Sequence, residues 1–164
     1  VLLPQLLAEA ARLVLDADAL NAIAHDATLQ AALVARPVNT TVLTPHPLEA
    51  ARLMQTGTAN IQSDRLGMAQ AMAARFACTV VLKGSGSIIA APGQPPAINP
   101  TGNARLATAG TGDVLAGMVG AHLAAGASAL RAASEAVYQH GQAADVWPAG
   151  LALTASALAR RVGG

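Results

Sequence analysis

One carboxylate stands out for its setting. Asp113 ends the loop "NPTGNARLATAGTGDVLAG", residues 99–117, directly behind Gly110, Thr111 and Gly112, and the chain turns apolar after it. Gly110 and Gly112 let the backbone approach a ligand closely and adopt positive φ. Amides at a helix start, reinforced by the helix dipole, suit a phosphate. An acid beside that phosphate is unfavourable unless it has a task, such as taking a proton from an attacking hydroxyl. The competing reading is a first-turn acid that stabilises its helix by roughly 1 kcal/mol. From "GTGD" alone the two readings stand level, and Thr108 and Thr111 beside the glycines favour phosphate.

Three further stretches carry polar residues of interest. "LKGSGS", residues 82–87, offers Lys83 before a glycine turn, suited to bringing an ammonium near a nucleotide; by itself it reads first as a hairpin turn with a solvated lysine. No GxxxxGK[ST] occurs, so this is not a P-loop. "TPHPLE", residues 44–49, holds His46 between two prolines, with Glu49 as a first-turn acid. In "DADALN", residues 16–21, Asp18 is expected to cap a helix, leaving Asp16 and Asn21 to face a site. His25, His122 and His140 lack ligand spacing, so no zinc site is expected. Cys78, before an apolar run, reads as a buried structural thiol.

These residues need elements to hold them. Strands are expected from Arg12 to an end at Asp16–Asp18, and at 41–44, 79–83 and 87–91, the last two joined by a glycine turn and open to reading as a local hairpin. Helices are expected over 3–11, from about Leu48, over 63–77 with Ser63 or Asp64 as cap, and over 113–125, 128–146 and 152–161. Strands alternating with helices indicate an α/β fold with a largely parallel sheet. Asp16 and Asp18, Thr44 and His46, and Lys83 and Gly84 then all fall at carboxyl ends of strands, the edge where open α/β sheets bind ligands.

Composition narrows the partners. The 164 residues suit one domain; 53% are hydrophobic and 12% charged, enough for a large core and against disorder. A net charge of +1 from scattered residues, with 2% aromatics, argues against nucleic acid. The longest apolar run, 114–130, carries His122 and many small residues, and reads as a core helix rather than a membrane span. A single cysteine fits a reducing, cytoplasmic setting. Trp147 and Tyr138 are expected to pack on the last helices, and the Ala-rich helices leave homo-oligomer packing open. The chain starts at Val1 without a methionine, as expected of a piece of a longer protein.

Taken in order, "LVLDADALN", "TVLTPHPLEAARL", "VVLKGSGSIIAAPG" and "NPTGNARLATAGTGDVLAG" resemble the carbohydrate-kinase-like domain of the NAD(P)H-hydrate dehydratases, over most of residues 12–126. The resemblance implies a ribokinase-like three-layer α/β/α sandwich, shortened at its N-terminus, with any fused epimerase domain outside this chain. It implies dehydration of hydrated NADH or NADPH by phosphorylation of the ring hydroxyl and loss of phosphate. ADP or ATP would be co-substrate, with Mg2+ bridging phosphates. By motif, Asp113 would be the base; Gly110, Thr111 and Gly112 the anion hole. Lys83, Gly84, Ser85, Gly86, Ser87, Asn103 and Gly112 would meet the adenine nucleotide, and His46 and Asp113 the hydrated dinucleotide. Leu48 and Ala109 stand where the family commonly has glycine. The alternatives are a ribokinase-like kinase of a small alcohol, or a nucleotide-binding module without turnover.

Overall fold

A computed structural model describes residues 2–163. The first half alternates helix and strand: α1 (Leu2–Glu9), β1 (Leu13–Leu15), α2 (Ala17–His25), α3 (Ala27–Val34), β2 (Thr41–Leu43), α4 (Pro47–Met54), α5 (Thr58–Ser63), α6 (Arg65–Phe76) and β3 (Thr79–Leu82). The second half adds β4 (Ile88–Ala90), β5 (Ala97–Ile98), a 3-10 turn (Ala104–Ala107), α7 (Thr111–Ala124), α8 (Ala129–Asp145) and α9 (Ala155–Val162).

Strand order in the sheet follows chain order, β1-β2-β3-β4-β5. The first three strands are parallel, with Leu13 opposite Thr41 and Val42 opposite Thr79. The glycine turn after β3 makes β4 antiparallel, pairing Leu82 with Ile88, and β5 continues the meander. Alternation along each strand divides the core between the two faces. Leu15, Leu43, Val80, Leu82 and Ile88 join Leu20, Leu53, Met72 and Phe76 on one side. Val42, Val81 and Ile89 meet Leu115, Val119, Ala133 and Val137 of α7 and α8 on the other. Alanine at 129, 132, 133 and 136 is wholly buried, which brings α8 close to the sheet. Helices on both faces make the three layers.

Two helices escape a reading by periodicity. Asp26 ends α2 and caps α3, accepting from Thr28 N at 2.7 Å and Leu29 N at 3.2 Å. The apolar residues of α3 lie all round it and only Leu33 is buried, so no stripe marks it. The six residues of α5 have no side-chain cap. Asp64 caps α6, as expected, accepting from Gly67 N at 2.9 Å. Cys78 is buried, and burial pushes its thiol up to about 12, too high for a nucleophile near neutral pH. Buried Arg36 fastens α1 to the sheet, donating to Leu7 O at 2.6 Å, Ala10 O at 2.8 Å and Thr41 Oγ1 at 2.7 Å. Tyr138 differs from expectation: it sits on the outer side of α8, 45% exposed. Trp147 packs against buried Leu158.

Candidate active site

The carboxyl ends of the parallel strands are tied together by backbone. Leu15 O accepts from Thr44 N at 3.1 Å and Thr44 Oγ1 at 3.3 Å, and Pro45 O accepts from Lys83 N at 2.8 Å. This gathers Asp16, His46 and Lys83 at one edge. The Lys83 ammonium reaches past the end of β2 to Asp16 Oδ1 at 2.8 Å. The same carboxylate oxygen accepts from Ala17 N at 2.9 Å, so Asp16 rather than Asp18 caps α2. Asp18 is exposed in the first turn. Asn21 turns away from the edge, accepting from Arg52 Nη1 at 2.7 Å.

Across this edge lies the start of α7. Gly110 takes φ 85°, which a side chain disfavours, and no side chain caps the helix. Thr111 N bonds to Thr108 O at 3.3 Å, while the amides of Gly112 and Asp113 have no acceptor among the described residues. Two unpaired amides at a helix start are free to donate to an anion. The threonine hydroxyls find partners within the loop. Thr111 Oγ1 points at Leu106 O (2.7 Å) and Thr108 O (2.9 Å), and Thr108 Oγ1 donates to Arg105 O at 2.9 Å. A Cβ at Gly112 would lie 3.5 Å from Lys83 Nζ, so the ammonium sits beside the first turn of α7.

The remaining walls are built by two loops. Gly84 (φ 149°) and Gly86 (φ 62°) turn the chain between β3 and β4. Arg65 holds that turn from outside, donating to Ser85 O and Leu82 O. Residues 99–110 are clamped onto α8. Asp145 accepts from Gly102 N at 2.8 Å and from Asn103 Nδ2 at 3.0 Å, and Thr101 Oγ1 donates to Tyr138 O at 2.9 Å. Asn103 Oδ1 accepts from Arg105 N at 3.1 Å, so this side-chain amide is engaged with protein at both ends. Where the loop crosses α8 the helix has Gly141, and a Cβ there would stand 2.2 Å from Thr101 Oγ1 and 2.6 Å from its carbonyl carbon.

Between these walls is a cavity of about 800 Å³, lined by His46, the 83–87 loop, the 99–109 loop, Thr111 and Gly112, with Leu115, Val137 and His140 on the helices. That volume suits a nucleotide-sized ligand. His140 is buried, with Nε2 2.9 Å from Thr111 O. Burial holds its pKa below the usual histidine value. The neutral ring therefore donates from Nε2. His46 closes the opposite end as the cap of α4. Its Nδ1 accepts from Leu48 N (3.1 Å) and Glu49 N (3.4 Å), while buried Glu49 accepts from His46 N at 2.8 Å.

Lys83, Gly84, Ser85, Gly86, Ser87, Asn103, Thr111, Gly112 and His46 thus line one cavity. Gly110 and Asp113 do not line it; Asp113 is exposed on the next residue after Gly112. His140, Gly141 and Asp145 escaped sequence reading. Their roles depend on what α8 faces, and "YQHGQAAD" carries no local mark of that. No three His, Cys, Asp or Glu side chains converge to a metal-sized group among the described residues. No helix among them is long and apolar enough to cross a membrane.

A family model described as NAD(P)H-hydrate dehydratase matches residues 1–162. An ADP-dependent (S)-NAD(P)H-hydrate dehydratase of Neisseria meningitidis is 44% identical over 149 residues, which is 91% of this chain and 50% of that protein. The chain therefore spans about half the length of this relative. The crystal structure of the ADP/ATP-dependent NAD(P)H-hydrate dehydratase of Bacillus subtilis, co-crystallised with ATP/Mg2+ and soaked with CoA, superposes with a TM-score of 0.75 at 32% identity, covering 93% of this chain and 54% of that one. A ribokinase-like superfamily protein of Enterococcus faecalis superposes with a TM-score of 0.77 at 24% identity, covering 97% and 56%, and shows the shared fold.

Proposed function

Because this chain belongs to the NAD(P)H-hydrate dehydratase family, we propose that it carries the nucleotide and phosphoryl-transfer half of an enzyme that repairs hydrated NADH or NADPH. The observation that carries this reading is the uncapped start of α7. It points two unpaired amides beside the Lys83 ammonium, at the mouth of a cavity large enough for an adenine nucleotide.

In this reading the terminal phosphate of ADP or ATP rests on the amides of Gly112 and Asp113, with Gly110 and Thr111 shaping the turn. Residues Lys83 to Ser87 face the nucleotide, whose base lies along the apolar floor of Leu115 and Val137. Asn103 contributes by holding the loop to α8 rather than through its own amide. Asp113, exposed at the first turn, takes the proton of the ring hydroxyl as that oxygen attacks the terminal phosphorus; the bond from phosphorus to the bridging oxygen breaks, and AMP departs from ADP, or ADP from ATP. Loss of phosphate with a ring C–H proton then restores the double bond. His46 offers its ring edge to the hydrated dinucleotide while its Nδ1 keeps α4 capped.

The donor set fits magnesium that arrives with the nucleotide. Mg2+ is commonly held by substrate phosphates and keeps several waters rather than sitting in a protein cage, and Asp113 would face such an ion through one of those waters, its carboxylate left free as base. When bound, the ion neutralises charge on the transferring phosphoryl group.

Incubating the full-length protein with hydrated NADH, Mg2+ and ADP or ATP tests the proposal. Recovery of the near-ultraviolet absorbance of NADH together with stoichiometric AMP or ADP is the expected result; neither appearing sinks it. With Asp113→Asn, nucleotide binding is expected to survive within about threefold while turnover falls by about 10²–10⁴, the range of general-base contributions. Turnover within tenfold of the unsubstituted enzyme removes Asp113 from its assigned role.

A further inference from the structure

The pairing of Lys83 with Asp16 is unusual in its place. A cation beside a helix N-terminus meets the positive end of the dipole and is repelled, not held. Yet the Lys83 ammonium stands next to the first turn of α7, in contact distance of where a Cβ at Gly112 would be, and both side chains are largely sheltered from water. Asp16 supplies what the helix does not. Its Oδ1, 2.8 Å away, is the only carboxylate oxygen paired with Lys83 among the described residues.

The backbone shows that this placement is enforced. Asp16 ends β1 in an extended conformation and its side chain accepts from Ala17 N. Ala17 is left at φ 47°, a left-handed conformation that a residue with a Cβ adopts at an energetic cost. The lysine is fixed from the other side, its N–H donating to Pro45 O. Charge partner and strained turn therefore both serve to hold one ammonium over one helix start.

We propose that Asp16 is a positioning residue: it pre-places the Lys83 ammonium at the α7 amides, so that the cation is already at the anion site when the phosphate arrives. This rests on the nucleotide-binding reading above. Without the carboxylate, the dipole of α7 drives the flexible lysine toward solvent, and phosphate binding must first bring it back. Asp16 acts through Lys83 alone, with no contact to the phosphate.

A double-mutant cycle on the full-length protein tests this, with ADP binding measured by calorimetry and magnesium held constant. Asp16→Asn is the informative change, because asparagine keeps the helix cap and removes only the charge. Asp16→Asn is expected to weaken ADP about tenfold in the native background and less than twofold in a Lys83→Met background. Adenosine, which lacks phosphate, is expected to bind both proteins equally. Equal losses in the two backgrounds, an unchanged ADP affinity, or a parallel loss of adenosine would each overturn the inference, since each assigns Asp16 a role independent of Lys83 or none. Should Asp16→Asn not fold, Asp16→Ser, which also caps, takes its place in the cycle. If the unsubstituted protein binds no ADP, the nucleotide reading fails. The cycle is then run with pyrophosphate, which needs only the anion site, and failure to bind pyrophosphate overturns the pre-placement as well.

Discussion

His140 shows how a single side chain can be set by what packs around it. Its Nε2 donates to Thr111 O from a buried position, and burial lowers its pKa from the ordinary value of 6.5. The unfolded chain therefore binds a proton at higher pH than the folded one does. The stability tied to the neutral ring is complete above about pH 6.5 and is lost as pH falls toward the depressed folded value. The thermal midpoint is expected to drop as pH is lowered from 7 to 5. His140→Gln should lack that part of the drop, so the gap between the two proteins narrows with acidification. A gap that is constant across the range shows that the ring is not held neutral. Asp16 and Asp18 make a related point. Either residue of "DADALN" is a competent cap by composition, and only the turn of β1 into α2 selects Asp16.

At the scale of elements, the site depends on the contact between the 99–110 loop and α8. A Cβ on Gly141 would stand 2.6 Å from the carbonyl carbon of Thr101, and backbone cannot rotate out of the way as a side chain end can. Gly141→Ala in an isolated helix is favourable by up to about 1 kcal/mol. Here it is expected to force the loop off the helix and disturb the bonds from Gly102 and Asn103 to Asp145. The expected outcome is intact far-ultraviolet dichroism, faster amide exchange confined to residues 99–110, and nucleotide binding at least tenfold weaker. Unchanged exchange in that loop would show that the contact tolerates a methyl group. The preference of alanine for helices points one way and the crossing loop the other; the loop decides because its clash is with main chain.

For the whole molecule, the consequential feature is that the cavity joins pieces far apart in sequence. His46 follows β2, the 83–87 loop joins β3 to β4, and the 99–110 loop packs on α8. A nucleotide bound there as proposed would contact both halves of the sheet and would need them assembled. Saturating ADP with Mg2+ is expected to raise the unfolding free energy by RT ln(1 + [L]/Kd), about 2.7 kcal/mol at a hundredfold excess over Kd. The increase should be seen equally by near- and far-ultraviolet dichroism. A rise seen by one probe alone would mean that the nucleotide stabilises one part of the fold and not the whole.

Much of this protein was legible in its sequence because its signals are local. Strand alternation, glycine turns, the Asp64 cap and the run "NPTGNARLATAGTGDVLAG" each depend on neighbours within a few residues, and they placed the sheet, the hairpin and the start of α7. The helix α3 was missed for the same reason, since apolar residues on every side leave no period to read. Tertiary structure alone decided which donors and acceptors were already spent. Thr111 and Asn103 look available to a ligand in the sequence, but their polar groups are taken by Leu106, Thr108, Ala144 and Asp145. It also decided that Lys83 meets Asp16, 67 residues away, beside a helix start that repels it. Hydrogen bonds and ion pairs are set by distance in space, and chain separation carries no information about that until the sheet brings the strand ends together.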